Sequence, residues 1–142
     1  MTTDNTGKFN GLGEVYARSR PGYPAEMLDL LAARIGGIEA AVDESTDAGA
    51  EAACASADGC VVADIGAGTG KLTAELLGRG RSVSAVEPND DMRAELVAHL
   101  AEDSRLTVVG APAEATTLPD ASVDLVTVAQ AFHWFDREVA CA

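Results

Sequence analysis

A few positions carry groups that could act together on a ligand. Asp64, Gly66, Gly68 and Gly70 alternate in the stretch Val61-Val62-Ala63-Asp64-Ile65-Gly66-Ala67-Gly68-Thr69-Gly70. Glu87 follows further on, and His133 sits in Gln130-Ala131-Phe132-His133-Trp134-Phe135-Asp136. An apolar run, an acid and a glycine-rich turn read as a buried strand that ends at a nucleoside-bearing ligand. Glycine turns sharply and admits a ligand with no Cβ in the way. A carboxylate at Glu87 would accept hydrogen bonds from ribose hydroxyls. His133 is the nearby group suited to taking a proton.

Three ligands compete for the turn. A phosphate loop needs GxxxxGK followed by Ser or Thr. Here Leu72 follows Gly70-Lys71, and Ile65 takes the first glycine's place. A dinucleotide turn needs GxGxxG, and Lys71 stands where its third glycine belongs. The spacing present is Asp64-x-Gly66-x-Gly68-x-Gly70, with Glu87 downstream.

The elements that must position these groups alternate. Strands are expected at Cys60–Ile65, Ser82–Glu87, Leu106–Val109 and Val123–Ala129. Helices are expected at Lys71–Leu77 and Asp91–Ala101, with a short helix or turn at Glu114–Leu118. Met92, Leu96 and Leu100 fall on one helical face. Upstream, Pro24 opens a helix that Gly36-Gly37 stops, with Met27, Leu28, Leu31 and Ile35 facing a core. Strand–helix alternation implies right-handed crossovers: an α/β, Rossmann-like parallel sheet with flanking helices. The expected organisation is a tail at 1–8, N-terminal helices that cover the site at 9–35, an acidic mobile insertion at 36–59, and a core at 60–142. From Gly36 to Cys60 the chain has Glu39, Asp43, Glu44, Asp47, Glu51 and Asp58 and no base.

Bulk properties narrow the function. The 142 residues suit one domain, and 47% apolar content is ordinary for a globular chain. A net charge of −13 argues against nucleic acid and against anionic membranes, whose phosphates need Lys and Arg. Cys54, Cys60 and Cys141 lack CxxC spacing, so no zinc site is expected and the thiols are expected to be free. Met1 to Asn10 has no apolar leader segment, and no run is long enough to span a membrane. A cytoplasmic protein is the expectation.

With Glu87-Pro88 and Ala113-Glu114 added, the glycine stretch resembles class I S-adenosylmethionine-dependent methyltransferases. Tyr16-x-x-x-Arg20-Pro21-x-Tyr23-Pro24 and Gln130 to Asp136 resemble the small-molecule branch that includes trans-aconitate methyltransferase-like proteins. The resemblance covers most of residues 9–137, apart from the acidic insertion. It implies S-adenosylmethionine as cofactor and a small-molecule methyl acceptor. It places Asp64, Gly66, Gly68 and Gly70 along the methionine and ribose, and Glu87 on the ribose hydroxyls. Ala113 and Glu114 would lie by the adenine and Gln130 near the methionine. Tyr16 and Arg20 would cover the cofactor, and His133 and Trp134 would face the acceptor. Phe132 is expected in the core.

In that family three more strands follow the fourth, whereas this sequence stops at Ala142. The expectation is a C-terminally incomplete domain whose strand-four edge is open to self-association. Two other functions stay in view: a non-catalytic cofactor-binding remnant or subunit needing a partner, and a nicotinamide-cofactor oxidoreductase domain.

Overall fold

The computed structural model describes Gly11, Arg18, residues 22–36 and residues 60–141. The tail, the acidic insertion beyond Gly36, Tyr16, Arg20 and Cys54 lie outside the described residues. So does the side chain of Ile35.

Apolar and polar residues sort the chain into α1 (Ala25–Gly36), β1 (Val61–Ile65), α2 (Lys71–Gly78), β2 (Ser82–Val86), α3 (Asp90–Leu100), β3 (Leu106–Val109), β4 (Leu125–Thr127) and α4 (Arg137–Ala140). Short 3-10 turns occupy Ala113–Ala115 and Phe132–Trp134. The β-branched strands pair in parallel in the order β3-β2-β1-β4. From β1 the chain moves outward through β2 and β3, then returns to the other side of β1 for β4. The direction of travel therefore reverses between β1 and β4, where α/β sheets open a crevice beyond their strand ends.

Register decides which face each residue serves. Val62 pairs with Val83 and Ile65 with Val86. Val62 and Val83 pack with Leu28, Leu72, Leu76 and Leu77 on the face covered by helices. Ala63, Ile65 and Val86 point to the opposite face, with Ala111 and the half-buried Phe135. Each large apolar side chain so buried contributes about 1.5–3 kcal/mol.

Most expected elements are present, with informative differences. β4 spans less than Val123–Ala129, and it starts late because Asp124 docks differently. Its N–H donates to the Val61 carbonyl at 2.8 Å, but its side-chain carboxylate accepts the Val61 N–H, also at 2.8 Å. A side chain thus takes a ladder position before the strand begins. Among the described side chains of the expected α1 core line, Leu28 is fully buried and Leu31 partly so, while Met27 is 36% exposed. Phe132, expected in the core, is 44% exposed. It follows the turn that leaves the sheet, and Phe135 fills the apolar face instead.

Helix α3 starts on Asn89, whose Oδ1 accepts the Met92 N–H at 3.0 Å. Met92 and Leu96 below it are buried, as their spacing predicts. Asn89→Ala should remove this cap and lower stability by about 1 kcal/mol, read as a lower urea midpoint.

Candidate functional site

Every strand is parallel, so every loop that follows a strand emerges on one edge. That edge carries the glycine turn after β1, Glu87 after β2, Ala113 and Glu114 after β3, and Gln130 to Trp134 after β4.

The turn is anchored on β2. The Val86 carbonyl accepts the N–H of Gly66 at 2.8 Å and of Ala67 at 3.1 Å. Its three glycines do different work. A Cβ on Gly66 would lie 2.5 Å from the Ala131 Cβ, and one on Gly70 would lie 2.8 Å from Leu96 Cγ. These two permit close packing. Gly68, with φ +59°, would point a Cβ into open space. Among the three it is the one whose missing side chain leaves room for a ligand.

Glu87 lies directly beside that opening. Its Oε2 accepts the Gly68 N–H at 2.8 Å and its Oε1 accepts the Asn89 N–H at 2.9 Å. Each carboxylate oxygen keeps a further lone pair. Burial raises the pKa of Glu87, and the hydrogen bonds from Asn89 and Gly68 oppose that rise. Arg93, which sequence reasoning missed, steadies the loop: Nη1 donates to the Glu87 and Pro88 carbonyls at 3.0 and 3.3 Å. The signal for it was available, since Arg93 lies one helical turn past the cap residue Asn89.

Asp64 sits deeper than the resemblance implies. It is 1% exposed, accepting from Thr73 Oγ1 at 2.7 Å and lying 3.3 Å from Thr127 Oγ1. Burial, partly offset by those hydroxyls, pushes its pKa up to about 6. A carboxyl with a raised folded pKa binds its proton more tightly in the folded chain. Its stabilising contribution is complete below the unfolded value of 3.8 and is lost as pH rises through about 6. Glu87 acts in the same direction. Urea midpoints should therefore fall between pH 4 and pH 7 by more in the native chain than in Asp64→Asn. The Asp64 share is roughly 3 kcal/mol.

The remaining expected residues are placed unevenly. Ala113 packs on the apolar cluster around Ile65 and Val86. The Glu114 carboxylate accepts the Asp136 N–H at 2.7 Å, linking the turn after β3 to the start of α4. Gln130 is exposed just beyond β4 with φ +57°, an uncommon conformation for a non-glycine residue. His133 is exposed, with its ring 4.7 Å from that of Trp134. The structure thus gathers Gly68, Glu87, Glu114, Gln130 and His133 on one edge, and puts Asp64 behind them.

A parallel sheet in this order, with a glycine turn at the reversal point and a carboxylate at the end of the next strand, defines a Rossmann-like domain for a nucleoside-bearing cofactor. Comparison with known proteins is more specific. The model of the methyltransferase domain family matches residues 63–142, and the chain belongs to that family. An uncharacterized methyltransferase of Mycobacterium bovis is 38% identical over 128 residues, covering 90% of this chain and 42% of that protein. A structure from Anaeromyxobacter dehalogenans, assigned as a type II methyltransferase, superposes with TM-score 0.60 at 28% identity. The match covers 85% of this chain and 41% of that one. The magnesium protoporphyrin IX methyltransferase of Synechocystis, solved with S-adenosylmethionine bound, shares the fold at TM-score 0.59 and 18% identity. It covers 93% of this chain and 62% of its own. The chain thus spans less than half the length of the Mycobacterium relative. Family membership brings S-adenosylmethionine as the cofactor and sets the nicotinamide reading aside.

Proposed function

We propose that this chain forms the cofactor-binding part of an S-adenosylmethionine-dependent methyltransferase acting on a small-molecule acceptor. The observation that carries the reading is Glu87. Its carboxylate is bonded to the Gly68 N–H, at the opening where Gly68 has no Cβ, on the strand-end edge. The residues present fit the cofactor: vicinal ribose hydroxyls can donate to the free lone pairs of Glu87 while the backbone at Gly68 stays clear.

The bound cofactor supplies a methyl group on a positively charged sulfonium. The work left to the protein is positioning and exclusion of water. Glu87 orients through hydrogen bonds, Gly68 allows approach, and Gly66 and Gly70 hold the turn by close packing. Glu114 stands at the adenine end and Gln130 at the methionine end in this reading. Tyr16 and Arg20, as cover over the cofactor, belong to the same proposal. His133 would take the acceptor's proton where one must leave. A net charge of −13 supports a small acceptor over nucleic acid. A carboxylic acid, as in the trans-aconitate-like branch, is the first class to try.

A second reading is favoured by one observation. Val126, on the edge strand β4, is 56% exposed beside an open apolar groove of about 330 Å³ lined by Ile65, Val128 and Phe132. In that reading the chain binds cofactor, but transfer needs further polypeptide on the β4 side, from a partner or a second copy.

Calorimetric titration with S-adenosylmethionine and S-adenosylhomocysteine tests both readings. Saturable binding is expected, and no heat at millimolar cofactor would remove both. Release of S-adenosylhomocysteine in the presence of small carboxylic acids would then favour the enzyme over the cofactor-binding subunit.

A further inference from the structure

Thr73 and Thr127 belong to no motif, yet both aim hydroxyls at one carboxylate. Thr73 Oγ1, on α2, donates to Asp64 Oδ2 at 2.7 Å. Thr127 Oγ1 lies 3.3 Å from Asp64 Oδ1 and 3.3 Å from the Ala63 carbonyl oxygen. Asp64, Thr73 and Thr127 are 1%, 0% and 8% exposed. The Asp64–Thr127 pair is also the last rung between β1 and β4. Beyond it the two strands part, one into the glycine turn and the other toward Gln130.

We propose that Thr73 and Thr127 are positioning residues for the cofactor site, clamping the end of β1 to α2 and β4 through the Asp64 carboxyl group. The clamp fixes the spacing between the glycine turn and the Gln130–Trp134 segment. It rests on the reading of this edge as a cofactor site. Asp64 then supports the site from behind, with both oxygens facing hydroxyls and almost no surface left for a ligand. The two arms are unequal. Thr73 gives its hydroxyl hydrogen to one acceptor, whereas the single hydrogen of Thr127 faces two. Hydroxyl chemistry, rather than volume, is what the clamp requires. Valine matches threonine in shape but cannot donate, and serine keeps the hydroxyl.

The test compares Thr73→Val and Thr127→Val with Thr73→Ser and Thr127→Ser in the whole chain. Amide exchange is followed in the protein without ligand, and S-adenosylhomocysteine affinity is measured by calorimetry. Each valine variant should speed exchange at Gly66 to Gly70 by about tenfold and weaken binding by about three- to tenfold. Serine should restore both to within about twofold. In an Asp64→Ala background, which leaves no side-chain acceptor, the valine changes should add nothing, because the clamp acts through that residue.

Unchanged exchange at the turn overturns the proposal. So does an effect spread equally over Val83 to Val86, which marks general loss of stability, or full additivity with Asp64→Ala. Thr127, nearer the edge, serves if Thr73→Val fails to fold. If the native chain binds no S-adenosylhomocysteine, the cofactor reading fails separately. Exchange then decides the clamp alone: faster rates confined to the turn and restored by serine uphold it, and unchanged rates end it.

Discussion

Gly66→Ala is expected to cost this protein much of its stability. The backbone at Gly66 has φ +72°, and an added Cβ would lie 2.5 Å from the Ala131 Cβ and 3.3 Å from the Phe135 ring. Neither neighbour can swing away cheaply. Ala131 has no side-chain torsion to turn, and Phe135 is packed on the cluster of Ala63, Ile65 and Val86. The left-handed conformation costs about 1–2 kcal/mol with a side chain. Forced overpacking adds about 1–3 kcal/mol. Against a typical net stability of about 5–15 kcal/mol, the sum is large. The urea midpoint should drop steeply, and a native midpoint would mean that the close approach does not exist. Gly68→Ala provides the contrast. It meets no neighbour, so only the backbone cost applies, and the fold should survive. Its methyl group would occupy the opening beside Glu87, so cofactor affinity should suffer more than stability.

Glu87→Ala should produce the largest loss of cofactor affinity. The substitution removes the proposed acceptor for the ribose hydroxyls and also takes the carboxylate partner from the N–H groups of Gly68 and Asn89. The expected loss is roughly 1–3 kcal/mol, about five- to 150-fold in Kd by calorimetry. Glu87→Gln keeps one acceptor oxygen and should fall between the two. Affinity unchanged in Glu87→Ala would take the residue out of the site. Affinity lost equally in both variants would show that the charge matters, and not only the geometry of acceptance.

Much of the fold was legible because it rests on periodicity. Val61 to Ile65 and Leu106 to Val109 announce strands by their β-branched content, Ser82 to Val86 by its alternation of serine with apolar residues, and Met92, Leu96 and Leu100 announce a helix by spacing. Where a side chain replaces the backbone in pairing, the pattern misleads. Asp124 does so, and shortens β4. Aromatics at the end of the chain were harder to read. Phe132 and Phe135 are equally apolar, so residue type could not tell which one the sheet buries.

The candidate site divides along the same line. Glycine at 66, 68 and 70 and acids at 64 and 87 mark the stretch through their chemistry alone, since a turn of this kind needs residues without a Cβ. Their separate tasks could not be read in one dimension. Gly66 and Gly70 serve packing because Ala131 and Leu96, distant in sequence, come to lie against them. At Gly68 nothing does, so an added Cβ would meet open space. Asp64 is withdrawn from the surface because Thr73 and Thr127 arrive from α2 and β4 to engage it.

The sequence by itself determined the kind of protein: a parallel α/β domain, a glycine turn, and a carboxylate suited to ribose. Local periodicity and residue chemistry suffice for that much. Only the tertiary structure decided which of those groups stand at the open edge and which are held behind it, because exposure and hydrogen-bond partners come from elements far apart in the chain.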